Sequence, residues 1–391
     1  MYEFDKIINR DGTNALKYEA LEEKFGRKDL LSFWVADMDF KAPDFLINEI
    51  KNRAEHGIFG YTGLDENYYE SIIKWIKNKH QWKVEKEWIE YMPGVVPALS
   101  VIIKGFTEPE DKIIIQRPVY YPFSKVIRGN DREIVNNPLI NIDDEYFMDF
   151  KDLEEKVKDS RVKLLIMSNP HNPVGRVWNE EELEKLGRIC EENEVLVISD
   201  EIHADLIYGN NKHVPFAKIS DKLKMNSITC MAPSKTFNIA GLHSSYCIIP
   251  NKIIRDKFIK EKEVLSLNMP NVFSKVATES VYKKGEIWLE ELLSYLEENM
   301  DLVKEFLEKN IHGISTKKLE GTYLMWINCK KLNLDDDKLD DLFINKANIA
   351  LDSGHWFGEE GSGYMRLNIA CPRENLEKAM KNLKRAVKSL E

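Results

Sequence analysis

No apolar run in these 391 residues approaches the roughly 18 that a membrane span needs. Residues 1–6, Met-Tyr-Glu-Phe-Asp-Lys, carry no apolar signal core. Cysteine is scarce. Cys190, Cys230, Cys247, Cys329 and Cys371 are odd in number, far apart and mostly set in apolar stretches, so neither a disulfide frame nor a zinc spacing is available. Positive charge is short as well: 56 Lys and Arg stand against 66 Asp and Glu, for a net charge of −10. That excludes a general nucleic-acid or anionic-membrane surface, which needs clustered positive charge. The two signs interleave, as on solvated helix faces. Internal repeats, low-complexity segments and long linkers are also missing. The remaining class is a soluble, cytoplasmic globular protein with reduced, buried thiols. It is 43% hydrophobic, with 8 Trp, 15 Tyr and 17 Phe to fill a core, and its length suits two or three domains.

The pattern along the chain is that of an α/β protein. The first thirty residues are polar and irregular, an arm rather than a packed unit. Residues 33–40, Phe-Trp-Val-Ala-Asp-Met-Asp-Phe, embed two carboxylates in an apolar segment before a helix start at Pro43 and Asp44. A helix over 67–80 follows, then an apolar helix over 95–106 after Pro93 and Gly94. Residues 112–118, 162–170, 195–201, 227–232 and 245–250 read as continuous apolar strands, and a helix over 179–193 has Asn179 as its N-cap. Such strands alternating with amphipathic helices predict a mostly parallel sheet covered on both faces. After residue 285 come a long helix, a strand over 322–329, a helix over 339–348 and a strand over 364–370. The last helix has one apolar face: Leu376, Ala379, Met380, Leu383, Ala386, Val387 and Leu390. The expected division is 1–45 as an arm with part of the small domain, 46–284 as a large ligand-binding domain, and 285–391 as a small α+β domain.

The stretch that organises the rest is 231–242, small, polar and glycine-containing, between two apolar strands. Lys235, flanked by Ser234 and Thr236, is either an exposed charge or an amine set to form a Schiff base. Asp200 ends an apolar strand, where open α/β sheets gather ligands, although an aspartate there also serves as a helix N-cap. Asn172 lies in Asn-Pro-His-Asn-Pro-Val-Gly, a turn by composition. Gly94 ahead of an apolar helix leaves the amides of Val95 and Val96 free for an anion. Tyr120 and Tyr121 follow a strand, a place for core aromatics as well as for a binding face. Arg366 is a lone arginine in an apolar strand and wants an anion, either a protein carboxylate or a ligand's.

Taken together and in this order, the motifs resemble fold-type I enzymes that depend on pyridoxal 5'-phosphate, the class I/II aminotransferase superfamily. The wording of residues 33–40, 118–123, 199–203, 234–242 and 366–373 is similar to its cystathionine β-lyase and cystalysin-like C–S lyase branch. The resemblance implies a fold with a large domain around a mostly parallel sheet and a smaller α+β domain. Lys235 would carry the cofactor and, once freed, take the Cα proton. Asp200 would keep the ring nitrogen protonated, Asn172 would hydrogen-bond the phenolic oxygen, and Tyr120 would stack on the ring. Val95, Val96 and Ser234 would cradle the phosphate, with Tyr61 reaching the phosphate of the partner subunit in a homodimer. Arg366 would clamp the substrate carboxylate, with Ala36 and Tyr121 beside the substrate; Tyr121 or Lys235 would protonate the departing sulfur. No metal is implied.

Two positions depart from the aminotransferase pattern. His203 stands where a tyrosine usually meets the phenolic oxygen, and His243 where many aminotransferases place arginine on the phosphate. Both weaken a transaminase reading. The expected activity is α,β-elimination from L-cystathionine or a related cysteine-type amino acid, giving a thiol, pyruvate and ammonia. Aminotransferase and a binding or regulatory protein are the alternatives. The Gly-rich stretch 353–363, with His355 and Trp356, reads as a surface loop or as a cover for the substrate.

Overall fold

The computed structural model describes residues 2–390 and contains two principal sheets. The larger has seven strands: β1 (Ile89–Met92), β2 (Lys112–Ile115), β3 (Glu133–Asn136), β4 (Val162–Ser168), β5 (Leu196–Asp200), β6 (Ser227–Met231) and β7 (Ser245–Ile248), in the spatial order β1-β7-β6-β5-β4-β2-β3. The four central strands are buried almost throughout, which is why they read as unbroken apolar runs. Their alternate residues face two helix layers. Ile113, Ile115, Leu164, Ile166 and Ile198 pack with α1 (Val95–Phe106), while Ile114, Leu165, Met167 and Val197 pack with Leu183 and Leu186 of α2 (Glu180–Glu192). Helix α2 begins with the expected cap: Asn179 accepts from the Glu182 amide, and the Glu182 carboxylate answers from the Asn179 amide.

One strand runs against the expected parallel direction. β7 is antiparallel to both β6 and β1, whereas the other pairs are parallel. Its link from β6, residues 232–244, holds only a short turn at Ala240–Leu242 and no crossover helix, so the chain returns the way it came. That return places Lys235 in the loop at the carboxyl edge of the sheet.

The smaller sheet is antiparallel and contains β8 (Ser315–Thr316), β9 (Leu324–Asn328), β10 (Asp352–Ser353) and β11 (Tyr364–Asn368), in the order β8-β9-β11-β10. Helices α3 (Glu286–Asn310) and α4 (Arg373–Lys388) share a core with it through Leu292, Leu296, Met300, Leu376, Ala379 and Leu383. Leu390 was expected on the apolar face of α4 but lies past the helix end and is exposed. The helix expected over 339–348 starts earlier, at Asp336, and widens to a π-helical turn over Leu342–Lys346.

Over residues 2–30 the arm is mostly exposed, anchored by a few buried side chains: Phe4, Lys17, Leu21 and Leu30. Phe4 lies among Phe40, Trp288 and Tyr295, and Lys17 is fully buried against Asp39 at 2.8 Å. Arg10 adds bonds to Asp37 and Asp39 at 2.7 and 2.8 Å, so the two carboxylates of the 33–40 segment are the anchors of this arm. Leu31 and Ser32 pair in parallel with Ile349 and Ala350. All five cysteines are buried. No described helix is long and apolar enough to cross a membrane.

Candidate active site

A cavity of about 420 Å³ opens at the carboxyl ends of β4, β5 and β6, beside the N-terminus of α1. Its walls include Ala36, Val95, Val96, Tyr120, Asn172, Asp200, His203, Ser234 and Lys235, nine of the twelve residues singled out in the sequence. Tyr121, Arg366 and Tyr61 are not on the wall. Tyr121 stands against Trp356 and Phe357 with ring centroids 6.3 and 5.6 Å away. Tyr61 is 97% exposed in a separate surface recess with Phe59, Leu242, Met269 and Phe273.

The Lys235 amine donates to the Ala36 carbonyl at 2.7 Å, and Tyr323 donates its hydroxyl to the same oxygen at 2.9 Å. Asn238 fixes this meeting of distant segments. Its side chain accepts from the Met38 amide and donates to the Met38 and Phe40 carbonyls, all within 3.0 Å. On the other side Thr236 donates to Asp205 at 2.8 Å, and Asp205 also takes bonds from Trp75 and His80 at 3.1 Å. Surrounding protein and the Arg366 charge pull the Lys235 pKa down to about 8, although Asp37 and Asp200 oppose them.

Asp200 is buried and accepts one hydrogen bond, from the Ile202 amide at 3.2 Å. Burial therefore lifts its carboxyl to about 7, against the weaker pull of that amide and Lys235. A buried carboxylate so short of donors suits a cationic or N–H-bearing ligand. His203 is also buried, and burial with the Lys235 and Arg366 charges drives its pKa far down, so the ring is neutral. Its Nδ1 has no hydrogen-bond partner among the described residues, and the ring meets Tyr323 edge-on. At the start of α1 no side chain caps the helix, leaving the Val95 and Val96 amides facing the cavity. Next to them lie Ser234 and His243, polar side chains suited to an anion, whereas the Ser244 and Ser245 hydroxyls are engaged with Thr278 and the Met92 carbonyl.

Arg366 is only 2% exposed, and its anion is supplied within the chain. It forms an ion pair with Asp352, its register partner on β10, donates to the Trp34 carbonyl at 2.9 Å, and reaches the cavity by donating to the Asn172 side-chain oxygen at 3.0 Å. The protein ion pair considered for this arginine is thus present. Its Nε has no hydrogen-bond partner among the described residues.

The sequence profile of the "Aminotransferase class I and II" family matches residues 28–383, nearly the whole chain. The chain belongs to this family. Its fold is fold type I of the pyridoxal-phosphate-dependent enzymes, as the motifs imply. It is 43% identical to cystathionine beta-lyase PatB of Bacillus subtilis over 384 residues, covering 98% of this chain and 99% of that one. Cystalysin from Treponema denticola, whose solved structure contains pyridoxal 5'-phosphate, superposes over 100% of both chains with a TM-score of 0.97 at 38% identity. The pyridoxal-phosphate-bound C–S lyase of Staphylococcus hominis gives 0.92 at 37% identity, covering 99% of this chain and 98% of that one.

Sequence reasoning missed Asp205, Asn238, Tyr323 and Asp352. Asn238 and Asp205 had a signal: polar side chains within three residues of Lys235 or of His203. Tyr323 directly precedes β9 and Asp352 lies in β10, and both meet the site only through tertiary pairing.

Proposed function

We propose that the chain is a pyridoxal-phosphate-dependent C–S β-lyase that cleaves L-cystathionine or a related cysteine-type amino acid to a thiol, pyruvate and ammonia. The observation that carries this reading is the convergence of Lys235, Asp200, Asn172, Tyr120 and the free α1 N-terminus on one cavity. The nature of the relatives supports it. The residues present fit the cofactor: an amine, a buried carboxylate short of donors, an aromatic wall and an uncapped helix start.

Pyridoxal phosphate, when bound, supplies the electron sink that takes the pair left on Cα. Lys235 would hold the cofactor, and its amine, with its pKa held near 8, takes the Cα proton of the substrate. Asp200 would keep a proton on the ring nitrogen. Asn172 and the neutral His203 would hold the phenolic oxygen, and Tyr120 would supply the aromatic wall for the ring. Val95, Val96 and Ser234 would hold the phosphate. Arg366, held by Asn172 and Asp352, binds the substrate carboxylate. The departing sulfur takes its proton from Lys235; Tyr121, the other candidate, stands off the cavity wall. Cleavage of Cβ–S and addition of water then account for thiol, pyruvate and ammonia. Turnover of L-cystathionine without any 2-oxo acid tests the reading. Strict dependence on 2-oxoglutarate would replace it with the aminotransferase.

The phosphate site has a particular weakness. His243 lines the cavity where many aminotransferases place an arginine, and an imidazole offers a phosphate less than the fixed fork of a guanidinium. His243→Arg is expected to tighten pyridoxal phosphate binding roughly threefold to tenfold near neutral pH. Fluorescence titration of the cofactor-free protein measures the change. Equal affinities would assign phosphate neutralisation elsewhere.

The domain division at residues 46–284 and 285–391, a cytoplasmic location and a homodimer belong to the same proposal. Ile58, Phe59, Tyr61 and Met269 form an exposed apolar surface suited to a second copy. Light scattering should give twice the chain mass, and Tyr61→Phe should weaken cofactor binding severalfold while leaving that mass unchanged. A monomer with full cofactor affinity would contradict both.

A further inference from the structure

The arginine proposed for the substrate carboxylate already holds a carboxylate, and that carboxylate is unusual. Asp352 is completely buried, sits opposite Arg366 in the β10–β11 register and shares its guanidinium with Asn172 and the Trp34 carbonyl. One of its oxygens, Oδ1, has no hydrogen-bond partner among the described residues. The charged and titratable groups that face it are Arg366 from β11, Lys24 from the arm helix Leu21–Phe25, and the hydroxyls of Tyr120 and Tyr121 after β2. Lys24 itself lies over the Trp356 ring at 3.8 Å, so the nearest compensating charge besides Arg366 is spread toward solvent.

We propose that Asp352 is the positioning residue that sets affinity for the amino-acid carboxylate, by competing for Arg366 and giving up that competition when it takes a proton. This rests on the functional reading above. Two carboxylates on one buried guanidinium leave one negative charge in excess, and a like charge disfavours ionisation of its neighbour. Asp352 starts close to the required balance, since burial lifts its carboxyl to about 6 despite Arg366 and Lys24. An arriving substrate carboxylate lifts it further, so binding is coupled to proton uptake at an Asp352 oxygen. Affinity is then highest at low pH and falls as Asp352 ionises.

The test uses the holoenzyme and L-alanine, which has a carboxylate and an amine but no β leaving group. Its dissociation constant is read from cofactor absorbance for wild type and Asp352→Asn, which keeps the size and an oxygen acceptor but loses the charge. Lys235 and the substrate amine titrate in both proteins, so the ratio of the two constants isolates Asp352. That ratio, wild type over variant, should be near one at about pH 5 and near tenfold at about pH 8, the effect of a one-unit pKa shift. Asp352→Glu should restore the pH dependence. Should Asp352→Asn fail to fold, calorimetry of wild type in buffers of different ionisation enthalpy should show proton uptake on L-alanine binding near pH 7 that vanishes near pH 5. A ratio constant across pH, or no proton uptake, overturns the proposal and leaves Asp352 as a structural partner only. A wild-type protein that neither binds L-alanine nor turns over any amino acid would instead sink the functional reading itself.

Discussion

Replacing Lys235 by alanine is expected to remove both the cofactor absorbance of the protein and its elimination activity, the latter by about a thousandfold or more. The size follows from the number of tasks one amine performs. It lies on the cavity wall 2.7 Å from the Ala36 carbonyl, and among the described residues no other lysine borders the cavity. In the proposed function its amine both holds the cofactor and moves the Cα proton, so losing it would remove the attachment and the base together. A pKa near 8 also sets the pH behaviour. The amine is a base only when unprotonated, so the wild-type rate should rise as pH passes up through that value. Turnover by Lys235→Ala at even a tenth of the wild-type rate would place the base elsewhere.

The second large effect belongs to Asp200. Asp200→Asn keeps the shape and the Ile202 hydrogen bond but removes the buried charge. A neutral amide cannot hold a proton on the ring nitrogen, and kcat should fall about a hundredfold to a thousandfold, the usual cost of removing one electrostatic partner of a developing charge. The cofactor should still bind, because Lys235 and the α1 amides are untouched; its absorbance separates this variant from Lys235→Ala. The raised carboxyl pKa of about 7 adds a second expectation. A cationic partner favours the ionised form, so the Asp200 carboxyl should titrate lower in the loaded protein than in the cofactor-free one. Carbon-detected magnetic resonance of labelled aspartate follows that shift, and an unchanged or raised value would separate Asp200 from the ring nitrogen.

Most of the large sheet was legible because its central strands are buried on both faces and spell themselves as apolar runs. The helix over 95–106 and the cap at Asn179 were legible for an equally local reason, since periodicity and capping chemistry are contained in the segment itself. The direction of β7 was not, because apolar content says nothing of strand sense; only the absence of a crossover helix in 232–244 hints at it. The anchors of the arm were hidden for another reason. Its helices Leu16–Glu19 and Leu21–Phe25 are too short to show a period, and its buried Lys17 looks like surface until Asp39 is placed beside it. The site divides along the same line. Residues carried by a strand end or a loop motif, such as Asp200 and Lys235, could be named, whereas Asp352 acquires its meaning only from the register that sets it opposite Arg366. That pairing also changed the reading of Arg366, from an arginine in want of an anion to one already sharing its charge.

The central claim is that this cavity breaks a C–S bond by elimination rather than exchanging amino groups. The direct measurement is the stoichiometry of thiol, pyruvate and ammonia released from L-cystathionine by the purified, cofactor-loaded protein, with no 2-oxo acid present. Equal amounts of all three, formed over many turnovers and absent with Lys235→Ala, are predicted. A cofactor-loaded protein that releases no thiol or pyruvate, yet passes the amino group of an amino acid to added 2-oxoglutarate, would contradict it.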